Sequence, residues 1–393
     1  MGIKTSLGDK KKIQDTKNKF FYGLNFCKSL KRHETLIPPK WVHVEITNLC
    51  NLRCTMCDRW KWIKEDKKTA DSLSLKTLEI LFTELSQIGV KLIILSGGEP
   101  LIRKDFVSII EYINKLKMAV TIISNGTLMD LEKAKCLAKN NTTVIFSIDG
   151  LSDTHDVIRG VHGAYERAIQ GIETLAKARK DGLYKNRIAI NYTVQKDNIK
   201  NMVACFELAK EIGVDVVEYN IVHGKPDSAF EGQDFSKIQE IFRRLKKLGR
   251  SSRTHIKIGR MLKFAISRRV QGADLKAGLH ARELFKTNPV PCLTAYYGSF
   301  IDSFGRVFPC CFCYFDNSSY SGYEKERELY CLGNIQNSKF SEIWYGQKYN
   351  EFRQDTDPVD IEKLSSACGQ CYDYFTFRKY YRKYKLIKKT GLL

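Results

Sequence analysis

The stretch Thr47–Trp62, TNLCNLRCTMCDRWKW, decides how the chain is read. Cys50, Cys54 and Cys57 are spaced C-x3-C-x2-C, and the next cysteine is Cys136. A structural zinc site closes with four ligands, so three thiols leave it short. An iron–sulfur cubane has four iron corners, and three cysteines would hold three of them. The fourth iron then takes an exchangeable ligand, which makes the missing thiolate the functional feature. A zinc site that borrows His43 is the alternative.

Outward from this loop the chain alternates strand and helix patterns. After the break at Pro38-Pro39, WVHVEIT (41–47) reads as a strand that ends at the first cysteines. Further apolar strand runs occupy 91–100, which runs into a Gly-Gly turn, 119–126, 143–150, 187–194 and 214–222, separated by helical spacing at 74–89, 105–117, 130–140, 164–180 and 201–213. Continuous apolar strands between amphipathic helices predict an α/β fold with a covered parallel sheet. Six such units over 41–223 predict a full or partial parallel barrel or an open doubly wound sheet. Chemistry on such a sheet belongs at the C-terminal strand ends. The three-cysteine loop lies there, as do Gly97-Gly98-Glu99-Pro100, Ser124-Asn125, Asp149-Gly150 and Asn191. Residues 224–288 read as a helical linker or cap. From about 289 to 375 the texture changes to short strands, Gly turns and cysteines, a small Cys-rich α+β domain. Residues 1–40 are a basic extension and 376–393 a basic aromatic tail.

Three motifs together carry a family resemblance. CNLRCTMC (50–57) resembles the cluster-binding loop of the radical S-adenosylmethionine (SAM) superfamily, with Met56 where an aromatic is common. SGGEP (96–100) resembles that family's second-strand motif, and SIDGLSDTHDVIRG (147–160) its fourth-strand stretch. The resemblance implies a partial (β/α)6 parallel barrel and a [4Fe–4S] cluster on Cys50, Cys54 and Cys57, with SAM on the open iron. Gly97 and Gly98 would bring backbone to the methionine moiety, and Glu99, beside Pro100, would accept from its ammonium. Ser147 and Arg159 would hold its carboxylate. Ser124, Asn125 and Asn191 would meet ribose or carboxylate, and Val194 the adenine. Asp149 is a further candidate, although Asp149-Gly150 also reads as a turn and Asn191 as a strand-end polar residue. His155 and Asp156 read as loop-structuring. One electron would then cleave SAM to a 5′-deoxyadenosyl radical, which removes a substrate hydrogen; no general base is identifiable.

Toward the C-terminus, Cys292, Gly305, Cys310 and the C-x2-C pair Cys368 and Cys371 resemble the family's SPASM or shortened "twitch" extension, with LGNI…EIW (332–344) as its connecting segment. No cysteine follows Cys371, which implies one auxiliary [4Fe–4S] cluster on Cys292, Cys310, Cys368 and Cys371. Cys311, Cys313 and Cys331 are left over, and a zinc knuckle from residues 310, 313, 368 and 371 is the rival.

The chain has 393 residues and a formal net charge of +21. It shows no apolar run of membrane-spanning length and no secretory signal, so a cytoplasmic location is expected. Gly2 and Ser6 match a myristoylation pattern that has meaning only in a eukaryotic setting. Cys27, Cys136 and Cys205 read as small buried hydrophobes. The basic termini and Tyr372, Tyr374, Tyr380, Tyr381 and Tyr384 fit either a solvated surface or contact with nucleic acid or an anionic membrane. The leading expectation is oxidation or rearrangement of a small sugar-like or cyclitol substrate, with the auxiliary cluster as electron acceptor and a flavodoxin or ferredoxin as reductant. The roughly 40 residues before the barrel look short for the peptide-binding domain of many peptide modifiers. The alternatives are modification of a ribosomally made peptide, modification of tRNA, and a non-enzymatic iron–sulfur carrier.

Overall fold

The computed structural model describes residues 25–57, 60, 73–184, 186–221, 229–230, 232–259, 262–263, 266, 291–311, 313–314 and 328–357. In chain order the elements are β1 (Trp41–Thr47), α1 (Leu75–Ile88), β2 (Leu92–Gly97), α2 (Phe106–Lys115), β3 (Ala119–Ser124), α3 (Leu131–Lys139), β4 (Thr142–Ser147), α4 (Ser152–Arg159), α5 (Ala164–Asp181), β5 (Arg187–Val194), α6 (Met202–Glu211), β6 (Val216–Ile221), α7 (Phe235–Arg250) and β7 (His255–Ile258). They continue with α8 (Thr294–Tyr297), β8 (Gly298–Ile301), β9 (Arg306–Phe308), β10 (Gly333–Asn334), α9 (Phe340–Trp344) and α10 (Gln347–Asp355).

Local chemistry explains the helices. In α1, Leu78, Leu81, Phe82 and Leu85 recur at helical spacing and are all buried. Ser74 accepts a hydrogen bond from the Thr77 amide at its start, and Gly89 closes it in the left-handed region. Asp130 and Asp234 cap α3 and α7 in the same way.

Among the described residues the strands form one ten-stranded sheet in the order β10-β9-β8-β1-β2-β3-β4-β5-β6-β7. From β8 through β7 every neighbouring pair is parallel, and β8-β9-β10 is antiparallel. One face carries Val42, Val44, Ile46, Ile93, Leu95, Val120, Ile122, Val144 and Phe146, which join the helix side chains in the main core. The alternate positions His43, Ser96, Ser147, Asn191, Glu218 and Asn220 line the other face and are only half-buried. The sheet therefore has a dry, helix-covered side and a polar inner side.

The α/β class and the six parallel strands agree with expectation. The stretch 224–288 is not purely helical, because β7 lies in it and pairs with β6. Its four residues, HIKI, alternate exposed and half-buried, so they lack the apolar run that marks the other strands. The segment 152–159, expected as part of a loop motif, is the short helix α4.

The C-terminal segment is built into this sheet. Trp41–Val44 of β1 pair in register with Gly298–Ile301 of β8, so the strand that leads to the three cysteines is flanked on both sides. The Glu84 carboxylate of α1 accepts from the amides of Phe340 and Ser341 at the start of α9, at 3.0 and 2.8 Å. Buried Trp344 donates to the Ile37 carbonyl at 3.0 Å. No helix among the described residues is long and apolar enough to cross a membrane.

Candidate iron–sulfur site

The cysteine loop leaves β1 at an irregularity in the β1–β2 register between Glu45 and Thr47. Such a break redirects the chain next to a site. The loop then lies on the β2 turn: the amide of Gly98 donates to the Thr47 carbonyl at 2.8 Å and that of Glu99 to the Leu49 carbonyl at 2.7 Å. This approach explains Gly97 and Gly98. A Cβ at Gly97 would sit 2.1 Å from the Thr47 oxygen, and one at Gly98 1.9 Å from the Leu49 oxygen. The missing side chains make room for the loop's own backbone, whereas the sequence suggested room for a bound methionine moiety.

Glu99 is buried at the centre of the frame. Its carboxylate accepts from the Ser124 hydroxyl (2.8 Å) and the amides of Asn125 (2.7 Å) and Leu101 (3.0 Å), binding the end of β2 to that of β3. Pro100 opens the buried turn that follows. Asn125 Nδ2 donates to Asn51 Oδ1 at 2.9 Å, and Asn51 Nδ2 donates to Thr127 Oγ1 at 2.8 Å. Asn51 lies between the first two cysteines, so this chain ties the loop to β3. Nothing in the local pattern marks Asn51 or Thr127 beyond their being polar neighbours of the motifs.

The opposite wall is α4. The amides of Arg53 and Thr55 donate to the Arg159 and Ile158 carbonyls at 3.0 and 2.8 Å. Arg159 itself is buried, with Nη2 2.6 Å from Asp149 Oδ2 and Nη1 3.7 Å from Cys54 Sγ. Asp149 Oδ1 accepts from the Thr193 amide at 2.7 Å, and the Asp149 amide donates to His155 Nδ1 at 3.2 Å. Burial pushes the His155 imidazole down to about 3, which keeps it neutral. Burial raises the Asp149 carboxyl while Arg159 opposes it.

The three thiols differ in exposure: Cys54 is buried, Cys50 half-buried and Cys57 exposed. Burial pushes the Cys50 thiol up to about 11. Burial also raises Cys54, against the pull of Arg159. As free thiols Cys50 and Cys54 hold their protons, so metal binding must displace them. Among the described residues no three His, Cys, Asp or Glu side chains converge on a single point that would hold one metal ion. His43 does not complete a zinc site, since its Nε2 lies 2.5 Å from Ser96 Oγ and its ring packs on Phe300. The buried polar atoms without a hydrogen-bond partner include Asn48 Oδ1 on the loop and Arg159 Nε and His155 Nε2 behind it.

The remaining candidates lie farther around the sheet. Ser147 pairs in register with Asn191, whose Oδ1 accepts from Asn220 Nδ2 at 2.7 Å on the inner face. Val194 is fully buried in the apolar core and presents no surface to an adenine. In the C-terminal segment, Cys310 and Cys313 sulfurs are 3.7 Å apart. Cys292 and Cys310 both lie near the buried Tyr349 phenol, which burial raises first and these thiols raise further. Cys331 turns to the Gly333 carbonyl. Cys368, Cys371 and the Tyr-rich tail lie outside the described residues. Cys27, Cys136 and Cys205 are buried, as expected.

A three-thiol loop at the C-terminal mouth of a parallel sheet, with a second cysteine group in the flanking segment, defines an iron–sulfur protein. The model of the Radical SAM superfamily matches residues 44–204, and that of an iron–sulfur cluster-binding domain, SPASM, matches residues 292–372. The AdoMet-dependent heme synthase of Methanosarcina barkeri is 32% identical over 85% of this chain and 88% of its own. The PqqA peptide cyclase of Gluconobacter oxydans is 24% identical over 70% of each chain. Among solved structures, Streptococcus suis SuiB bound to precursor peptide SuiA superposes with a TM-score of 0.60 at 17% identity, over 90% of this chain and 74% of that one. The anSMEcpe structure with bound AdoMet gives 0.58 at 17% identity, over 90% and 98%. The chain belongs to the radical SAM superfamily and carries a SPASM extension. It is an enzyme whose cofactors are [4Fe–4S] clusters and S-adenosylmethionine.

Proposed function

We propose that this enzyme modifies a ribosomally made peptide by removing a hydrogen atom from one of its side chains. The observation that carries the radical step is the loop at 50–57, three thiols held between the Glu99 frame and α4. Cys50, Cys54 and Cys57 would hold the cluster, which would supply the reducing electron for cleavage of SAM. The chain's own groups do the rest. Asn51, Asn125 and Glu99 fix the loop against β2 and β3, and the buried core behind them keeps water from the sheet side. Ser147, Asn191 and Asn220 on the inner face offer hydrogen bonds to SAM or substrate. Cys292 and Cys310 would be among the ligands of a second cluster, which would supply an electron acceptor.

The peptide reading is supported by relatives and neighbours named for peptides, PqqA peptide cyclase and SuiB with SuiA. None of the relatives named above is called a sugar or cyclitol enzyme, which turns the reading away from that substrate. A second reading, a tetrapyrrole side chain, is favoured by the 32% identity to a heme synthase over most of both chains. Anaerobic protein with dithionite and SAM should release 5′-deoxyadenosine. Mass spectrometry of reactions with a peptide encoded beside the gene, and with iron coproporphyrin III, decides the substrate. A mass loss on the porphyrin alone would overturn the peptide reading, and no 5′-deoxyadenosine at all would overturn the radical one.

A further inference from the structure

We propose that the buried Arg159–Asp149 pair sets the reduction potential of the SAM-binding cluster by fixing a guanidinium against Cys54. The inference rests on the reading that Cys50, Cys54 and Cys57 hold that cluster. Arg159 touches the loop at two levels. Its carbonyl accepts from the Arg53 amide at 3.0 Å, and its Nη1 lies 3.7 Å from Cys54 Sγ. The side chain cannot turn away easily, because Nη2 is locked to Asp149 at 2.6 Å and Asp149 is itself held by the Thr193 amide. The backbone on both sides of Asp149 is anchored too. Its amide donates to His155 and its carbonyl accepts from Asn198 Nδ2 at 3.0 Å.

Reduction adds one negative charge to a cluster, so nearby fixed charge and hydrogen bonds to its sulfurs shift the potential. With Arg159 9% exposed and Asp149 fully buried, water screens this charge poorly. The cation sits next to the thiolate and the carboxylate sits behind it. The nearer charge dominates, so the pair favours the reduced cluster while remaining neutral overall. The two halves therefore push in opposite directions. Arg159→Gln removes the near cation and should lower the potential. Asp149→Asn keeps the acceptor for Thr193 but leaves the cation uncompensated, and should raise it.

The test is redox titration of the reconstituted full-length protein without SAM, followed by electron paramagnetic resonance. The SAM-binding cluster is identified as the signal that changes when SAM is added to a parallel sample. The expected result is a negative shift for Arg159→Gln, a positive shift for Asp149→Asn, and a potential near wild type for Arg159→Lys. Shifts of the same sign in Arg159→Gln and Asp149→Asn, or no shift in either with the signal intact, overturn the proposal. If Arg159→Gln does not fold, Asp149→Asn and Arg159→Lys still decide it, since a purely structural pair predicts no positive shift. Failure of the underlying reading looks different: wild-type protein loaded with iron would show no SAM-sensitive signal at all.

Discussion

Two arginines are buried in the two halves of the molecule, and their surroundings differ in kind. Arg159, on the sheet side, faces a carboxylate and a thiol. Burial alone would weaken its charge, but Asp149 and Cys54 more than offset that and hold its pKa above the usual range. Arg353, in the C-terminal segment, meets no carboxylate among the described residues. Its Nε and Nη2 donate to the Ala295 and Trp344 carbonyls, both at 3.0 Å, and its Nη1 donates to Asn350 Oδ1. The rings of Tyr349 and Trp344 lie 4.2 and 4.6 Å from its guanidinium carbon. Burial pushes its pKa down to about 10, still charged at neutral pH. One arginine is aimed at a reactive sulfur by an anion behind it. The other uses dipoles and ring faces to join α8, α9 and α10. A buried charge with an acid and a cysteine marks chemistry, and one among carbonyls and rings marks architecture.

The contrast can be broken at its strongest point by Cys54→Ala. It should abolish 5′-deoxyadenosine formation and reduce iron from about eight to about four per chain, while the second cluster persists. Unchanged cleavage of SAM would place the radical chemistry elsewhere. Next in size, Arg353→Met strands the Ala295 and Trp344 carbonyls and should cost about 3 kcal/mol in urea unfolding. The SAM-sensitive signal should keep its potential, and a large shift would erase the distinction between the two arginines.

On the sheet side, Gly98→Ala forces the Leu49 carbonyl away and should cost about 2 kcal/mol, with partial loss of iron. Iron content and stability unchanged in that variant would show that the loop does not depend on the close approach. The smallest effect concerns His155. Its imidazole takes a proton near 6.5 in the unfolded chain but only near 3 in the folded one. The unfolded state therefore binds more protons between those values, and folding stability, complete above pH 6.5, falls as the pH drops. Between about pH 6.5 and 5, before most carboxylates titrate, the slope should lessen in His155→Asn.

Much of this was legible before the structure. The six strands before residue 222 announce themselves by apolar runs, and their helices by spacing that buries residues such as Leu78, Phe82 and Leu85. The cysteine spacing and the strand-end motifs located the mouth. What stayed hidden depends on long-range geometry. The pairing of Gly298 with Trp41 joins residues 257 positions apart, and no local pattern encodes that register. Asn51 and Thr127 look like ordinary polar neighbours until the loop folds over β3. Val194 stands three positions after Asn191, so the alternation that turns Asn191 to the inner face turns Val194 to the dry side of the sheet. The strand HIKI is too short and too wet to stand out.

The pairing of β8 with β1 has a consequence for how the two clusters depend on each other. A lever that lifts the C-terminal segment would peel a neighbour from the very ribbon that ends in the three thiols. Removing that segment would bare four residues of main chain, inviting another molecule to add its own strand. Damage at the distal cluster would then reach the radical centre through the backbone, before any question of electron flow arises.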